Sequence, residues 1–401
     1  MNPLLSRLQP YPFERLRQLF ASAQPPEGLR PISLGIGEPR HATPAFIEKA
    51  LSSELEGLSV YPATAGLPAL RQACAQWANR RYGIELDAVT QVLPVNGSRE
   101  ALFAFTQVVV DSTRAGARVI CPNPFYQIYE GATLLAGATP YYAASDASRN
   151  FAVNWDAVPE EVWQDTQMIF VCSPGNPTGA VMPLSEWEKL FALSDKHGFV
   201  IASDECYSEI YFQEEAPLGG LEAAKKLGRH DFKNLVMFTS LSKRSNVPGL
   251  RSGFVAGDAA LLKSFLLYRT YHGGAMSPVV QTASIAAWGD EDHVKENRRL
   301  YREKFAQVTP VLSRVLDVKL PDASFYLWAG IPPELGMDDA QFAKELYIHT
   351  GVTVLPGSYL AREAHGFNPG AQRIRMALVA ETAECLEAAQ RIARFIESRA
   401  R

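Results

Sequence analysis

Cysteine is scarce in this 401-residue chain, and its five copies (Cys74, Cys121, Cys172, Cys206 and Cys385) form no CxxC pair. So odd and scattered a set excludes a disulfide framework and the usual zinc spacings, and no metal site is expected. Cys172 and Cys206 end apolar runs and read as small core residues. No apolar stretch approaches the roughly 20 residues needed to cross a bilayer. Blocks of five or more like charges are absent and the net charge is only −4, so neither nucleic acid nor a membrane is an expected partner. The N-terminus (MNPLLSRLQPYPFERLRQLF) has arginines and prolines where a secretion signal needs unbroken apolar sequence, which points to a cytoplasmic protein. Internal repeats and low-complexity segments are also missing.

What remains is the composition of a globular protein, 47% hydrophobic and 20% charged, in a chain too long for one ordinary domain. Between residues 90 and 260, short apolar runs alternate with helix-length segments such as Ser98–Val110 and Leu184–His197. The runs are 91–95, 117–121, 168–172, 199–203 and 235–239. That alternation predicts an α/β architecture with a mainly parallel sheet flanked by helices. In such sheets ligands bind beyond the carboxyl ends of the strands. The residues following the runs should therefore share one crevice: Asn96-Gly-Ser98, Pro122-Asn-Pro124, Ser173–Gly179, Asp204–Tyr207 and Ser240–Lys243. A charged helix over about 291–315, an apolar strand Ala323–Trp328 and an amphipathic helix near 381–398 predict a smaller α+β domain. Residues 22–31 read as a linker. The expected division is 1–35 (N-terminal arm and part of the small domain), 36–290 (large domain) and 291–401 (small domain).

Four of the predicted loops carry distinctive chemistry. Lys243, in Ser240-Leu-Ser-Lys243, lies just past a buried strand. Burial would lower its pKa and leave a free amine able to condense with an aldehyde cofactor. Ser240, Ser242 and Arg251 beside it could hold a phosphate dianion; an exposed lysine in a turn is the plain alternative. Asp204 ends another buried run, and a buried carboxylate needs a cation, such as a pyridinium nitrogen. Tyr207 could reach the phenolic oxygen of the same ring. A helix-capping aspartate with a core tyrosine is the alternative there. Asn176 sits in the tight loop Ser173-Pro-Gly-Asn-Pro-Thr-Gly179, where its amide could donate to that oxygen. Ser98 and Arg99 open a helix after Gly97, and a helix start is an anion site.

Together NGSREAL, CPNPFYQIY, SPGNPTG, SDECY and SLSK with GLR resemble, in order and spacing, the fold-type I pyridoxal 5′-phosphate (PLP) enzymes of the aspartate aminotransferase superfamily. The likeness runs from the N-terminal arm through SLGIGEP (33–39) to RIRMAL (373–378). It implies a seven-stranded, mainly parallel sheet with PLP as cofactor. Lys243 is similar to the lysine that holds PLP and then shuttles the proton. Asp204 looks like the partner of the ring nitrogen, with Asn176 and Tyr207 on the phenolic oxygen and Tyr126 stacked on the ring. Ser98, Arg99, Ser240, Ser242 and Arg251 match the phosphate-holding positions. Tyr61, in YPATAG, resembles the tyrosine lent by a neighbouring subunit, which implies a homodimer. The 271–277 loop resembles a second such segment. Arg375 and Gly37 match the positions that grip the substrate α-carboxylate.

Longer segments (8–19, 35–44, 267–281 and 357–370) look most like the N-succinyldiaminopimelate aminotransferases of lysine biosynthesis. That likeness implies glutamate/2-oxoglutarate and an N-succinylated semialdehyde as small-molecule partners. Arg40, Arg244 and His272 are candidates for reading the distal carboxylates. Arg244 departs from the many relatives that carry a smaller or uncharged residue after the lysine. Aminotransferases for aspartate, alanine or aromatic acids, and a PLP-dependent C–S β-lyase, are the rival readings. A non-catalytic PLP-fold regulator fits less well, because the whole catalytic set is present.

Overall fold

The apolar runs between residues 90 and 260 assemble into one eight-stranded sheet in this computed structural model, which describes residues 1–399. Its strands are β1 (Val92–Val95), β2 (Arg118–Asn123), β3 (Thr139–Asp146), β4 (Ala152–Val153), β5 (Thr166–Cys172), β6 (Val200–Asp204), β7 (Leu235–Ser240) and β8 (Gly253–Gly257). They lie in the order β1-β8-β7-β6-β5-β2-β3-β4. β8 runs antiparallel to both neighbours, and β4 is a two-residue antiparallel edge added to the seven expected strands. The remaining pairings are parallel.

Strands β6, β7 and β8 are buried along their whole length, as a sheet covered on both faces requires. Successive residues alternate between two hydrophobic clusters, one on each face. Ile201, Leu235, Met237 and Ala256 pack with Trp77 and Trp187. Ala202, Val236, Phe238 and Val255 pack with Phe105, Tyr129 and Phe265. The covering helices include Ser98–Val109 and Ala259–His272 on the second face and Leu184–His197 on the first.

A separate core forms around β9 (Tyr326–Gly330), β10 (Leu355–Pro356) and β11 (Arg373–Ala377), ordered β9-β11-β10. Helices Asp292–Leu312, Asp339–Thr350 and Thr382–Arg399 pack against it. Ile32–Ser33 pairs in parallel with Val352–Thr353, so Ile32 and Leu34 join this core although they come from the N-terminal end. β9 begins three residues later than expected. Ala323 N–H is bonded to Gly179 C=O (3.0 Å) and Ser324 N–H to Ile210 C=O (2.8 Å), with Ser324 at φ 77°, so these residues turn toward the large sheet before pairing starts. Among the described residues, no helix is long and apolar enough to cross a membrane.

Candidate active site

The parallel strands place their carboxyl ends along one side of the sheet, and a cleft of about 590 Å³ opens there. The register explains the convergence: Cys172, Asp204 and Phe238 lie side by side, as do Val95, Gly253 and Ser240. The next few residues of each strand must therefore meet.

Lys243 lies in the single helical turn Leu241–Arg244 after β7, and its Nζ donates to Gly37 C=O at 2.8 Å. Burial lowers its pKa to about 8, and the charges of Arg375 and Arg99 act in the same direction. Asp204 is 4% exposed at the end of β6. Its carboxylate accepts from the Tyr129 hydroxyl (2.7 Å) and weakly from Cys206 N–H (3.4 Å), both neutral donors. Burial consequently raises its pKa despite these bonds. Tyr129 stacks on Phe170 with ring centroids 4.4 Å apart, which fixes the hydroxyl that holds Asp204.

Arg375, on β11, is 3% exposed and lies with its guanidinium carbon 4.3 Å above the Tyr326 ring. Nη1 donates to Asn176 Oδ1 (3.0 Å) and Nη2 to Gly35 C=O (2.9 Å), while Nε has no partner. Since a guanidinium only donates, Asn176 must face it with oxygen, which leaves the Asn176 amide N–H groups to point elsewhere. The Tyr207 hydroxyl lies 3.0 Å from that of Tyr326. Gly37 packs so closely on Tyr326 that a Cβ there would run into the hydroxyl.

An anion cradle occupies the other end of the cleft. Gly97, at φ 90°, precedes helix Ser98–Val109 and provides no side-chain cap, so the first-turn N–H groups stay available. The Arg251 guanidinium lies over Gly97 so closely that a Cβ would collide with it. Ser98, Ser240 and Ser242 complete the cradle. Arg99 Nε donates to the Tyr126 hydroxyl (2.6 Å), holding that ring at the cleft wall.

The structure therefore gathers Gly37, Asn176, Asp204, Tyr207, Lys243 and Arg375, and the cradle residues, in one place. Tyr61 is not among them: its side chain is fully exposed on its own chain. The three charges suggested for distal recognition also have other surroundings. Arg244 is 2% exposed and bonded to Ala287 C=O, Asp290 C=O and the Glu291 carboxylate. Arg40 pairs with Glu384 (3.3 Å) on the surface. His272 is exposed and stacks on Tyr268, with centroids 5.7 Å apart. None of the three lines the cleft.

Sequence reasoning missed Tyr129, Tyr326 and the arm residues Tyr11–Phe13, which also line or support the site. Tyr129 stands three residues after Tyr126 in the same segment, CPNPFYQIY, at the start of helix Ile128–Leu135, and its ring meets that of Tyr126 edge-on with centroids 5.8 Å apart. Cys206, read as a core residue, lines the cleft with its sulfur 3.0 Å from Ser98 Oγ.

The donor set fits PLP. A buried carboxylate with only neutral partners suits a pyridinium, a buried amine suits the aldehyde, and the cradle suits the phosphate. Fold and site together define a PLP-dependent transferase of fold type I. The chain belongs to the class I and II aminotransferases, whose family model matches residues 30–392. LL-diaminopimelate aminotransferase of Desulforudis audaxviator is 33% identical over 394 residues, covering 97% of this chain and 96% of that protein. The enzyme of the same name from Nitratidesulfovibrio vulgaris is 32% identical over 398 residues, 98% of each chain. Among solved structures, an aminotransferase from Neisseria meningitidis is 56% identical with a TM-score of 0.95, covering 99% of this chain and 100% of that one. A "probable N-succinyldiaminopimelate aminotransferase" from Thermus thermophilus is 29% identical with a TM-score of 0.82, covering 96% and 99%.

Proposed function

We propose that this PLP-dependent aminotransferase passes an amino group between glutamate and N-succinyl-2-amino-6-oxopimelate. The observation that carries the reading is the contrast along the cleft. One buried guanidinium, Arg375, serves the α-carboxylate, while the mouth is lined by Tyr11, Pro12, Phe13, Ile36 and Leu360. Succinylation turns the distal ammonium of diaminopimelate into a neutral amide followed by two methylenes and a terminal carboxylate. The amide and methylenes suit that aromatic and aliphatic wall, with the carboxylate extending past it toward solvent. Likeness to the Thermus protein supports the same reading.

A second reading, LL-diaminopimelate itself, is favoured by the names of the relatives at 32–33% identity and by the Glu38 carboxylate at the cleft wall, which could meet a distal ammonium. The ratio of kcat/KM for N-succinyldiaminopimelate and LL-diaminopimelate decides between them. The first reading expects the succinylated substrate to win by tenfold or more, about 1.4 kcal/mol in transition-state binding. A preference for LL-diaminopimelate, or for aspartate, by that margin would overturn it.

When bound, PLP supplies an electron-accepting ring that makes the substrate Cα proton acidic. Asp204 would keep the ring nitrogen protonated, with Tyr126 at the ring's face. Asn176 and Tyr207 would donate to its phenolic oxygen. Ser98, Arg99, Ser240, Ser242 and Arg251 would hold the phosphate. Arg375 would orient the substrate: Asn176 and Gly35 occupy one N–H each of Nη1 and Nη2, and the remaining Nη donors are left for a carboxylate, with Gly37 alongside. Lys243, with its lowered pKa, would take the Cα proton of the bound substrate as a base and, once protonated, act as the acid that gives a proton back. The arm residues Tyr11, Pro12 and Phe13 line the mouth and would shield the bound substrate from water.

The functional unit in this reading is a homodimer in which Tyr61 reaches the neighbour's phosphate site. Leu55, Leu58, Val60 and Tyr61 on one segment and Leu267 and Tyr271 on another are exposed, which supports it. Mixing Lys243→Ala chains with Tyr61→Phe chains should yield hybrid dimers with one intact site. A fully active monomer in sedimentation would refute the arrangement.

A further inference from the structure

The turn that carries Lys243 is too short to hold itself in place. Its helix spans only Leu241–Arg244, less than the length at which helical bonds become self-supporting. Yet the four residues Lys243 to Asn246 are each tied to the stretch 287–297, where helix Pro278–Gly289 gives way to Asp292–Leu312. Arg244 donates to Ala287 C=O (2.7 Å), Asp290 C=O (3.1 Å) and the Glu291 carboxylate (2.8 Å). Ser245 Oγ lies 2.8 Å from His293 Nε2, whose Nδ1 meets Asp290 at 2.6 Å. Asn246 Nδ2 donates to Asn297 Oδ1 (3.1 Å), and Asn297 Nδ2 donates to the backbone C=O of Lys243 (3.3 Å).

The orientation of Asn297, which is 4% exposed, is forced. A carbonyl only accepts, so the amide must turn its NH2 to Lys243 and its oxygen away. His41 Nδ1, 2.8 Å from that oxygen, must then carry the hydrogen. Its Nε2 is left as a lone pair, and the buried Lys304 ammonium donates to it at 3.0 Å. One chain of donors thus runs from Lys304 through His41 and Asn297 to the main chain of Lys243.

We propose that Asn297 is a positioning residue for the reaction: it braces the Lys243 backbone so that Nζ stays aimed into the cleft, with His41 and Lys304 fixing the orientation of its amide. Lysine has a flexible four-carbon stem, so the aim of its amine depends on where the backbone is anchored. The brace comes from helix Asp292–Leu312, which packs in the core that also holds β11 and hence Arg375. The substrate's anchor and the proton carrier are referred to the same element. Arg244 is the second tie to the same junction.

The absorbance readout uses the PLP-loaded enzyme with no substrate and the kinetic readout uses glutamate alone, so both stand even if the longer acid proposed above is the wrong one. Asn297→Asp keeps the shape but sets an oxygen against the Lys243 carbonyl. The pH midpoint of the visible absorbance band should move by about half a unit or more as the environment of Nζ changes. In glutamate single turnover, kcat should fall roughly tenfold to a hundredfold, as expected for a misplaced reacting group, with KM within about twofold. Should that variant not fold, His41→Asn and His41→Leu decide. Asparagine can still donate at the place of Nδ1 and is expected to keep the wild-type midpoint better than leucine. An unchanged midpoint and kcat in Asn297→Asp, or identical behaviour of the two His41 variants, would overturn the proposal.

Discussion

At the inner end of the cleft Asp204, Tyr207 and Arg375 are buried, and each is fixed by a named neighbour: Tyr129, Tyr326 and Asn176. At the mouth Ile36 is 50% exposed, Glu38 is exposed, and the wall comes from an N-terminal arm with its own small cluster around Leu16 and Leu360. The inner half bears the cost of buried charge to hold reacting groups within narrow tolerances. The outer half has little invested in any one geometry and can take acids of different length. On the function proposed above, the reaction resides in the first region and the choice of substrate in the second.

Substitution should show this gradient. Lys243→Ala removes both the cofactor's covalent partner and the proton carrier, and turnover should drop at least roughly 10⁴-fold; a variant retaining near-normal turnover would remove the inner region from the chemistry. The same lysine can be followed by pH. With its pKa lowered to about 8 by burial, PLP uptake by the cofactor-free protein should rise with a midpoint near that value, below that of an exposed lysine.

Asp204→Asn should still bind PLP but lose roughly a hundredfold in single-turnover Cα-proton removal, about 3 kcal/mol for a lost charged bond. Stability should move the other way in the cofactor-free protein. Burial raises the pKa of Asp204, so its contribution to stability is fully present below the ordinary aspartate range and is lost as pH rises through the raised value. Near neutral pH the Asp204→Asn protein should therefore melt at or above the wild-type Tm, with the difference shrinking toward pH 4. Unchanged proton removal would reduce Asp204 to a structural group.

Arg375→Lys should lower kcat/KM for both amino substrates by about tenfold to a hundredfold, because a point charge cannot reproduce the fork. An effect on one substrate alone would transfer Arg375 to the selective half of the cleft. Phe13→Ala should change KM by less than about tenfold, and chiefly for the longer acid, on the basis of the apolar area it covers. Arg40→Ala and His272→Ala, exposed and outside the cleft of their own chain, should alter kcat/KM by no more than about twofold. A larger loss for His272 in the dimer, absent in a monomer, would instead bring the 271–277 loop into a neighbour's site.

Much of the inner region was legible in the sequence because the motifs of Asn176, Asp204 and Lys243 directly follow buried apolar runs, and a parallel sheet must bring those ends together. Arg375, within β11, was reached only through the resemblance. Strands β3 and β8 were harder to read. β3 is partly exposed over TPYYAASD, without clean alternation, and β8 (GFVAG) has glycine at both ends. The mouth was hard to read because its wall is assembled from residues 11–13, 36–38 and 360, none of which follows a strand-like run, and only the resemblance picked out Gly37 among them.

The two buried arginines mark the limit. The sequence by itself determined the sheet's alternating runs, the crevice at their ends and the residue types able to hold PLP, since these follow from local patterning and strand polarity. Resemblance alone set Arg375 at the carboxylate-gripping position; local patterning could not say that Arg375 lines the cleft while Arg244 is consumed by the framework. Arg375 meets Asn176 across 199 residues of chain and Arg244 meets Glu291 across 47, and the two are equally buried. Only the tertiary structure assigns the partners, because the same desolvated guanidinium can satisfy its donors with a fixed carboxylate or leave some free for a ligand.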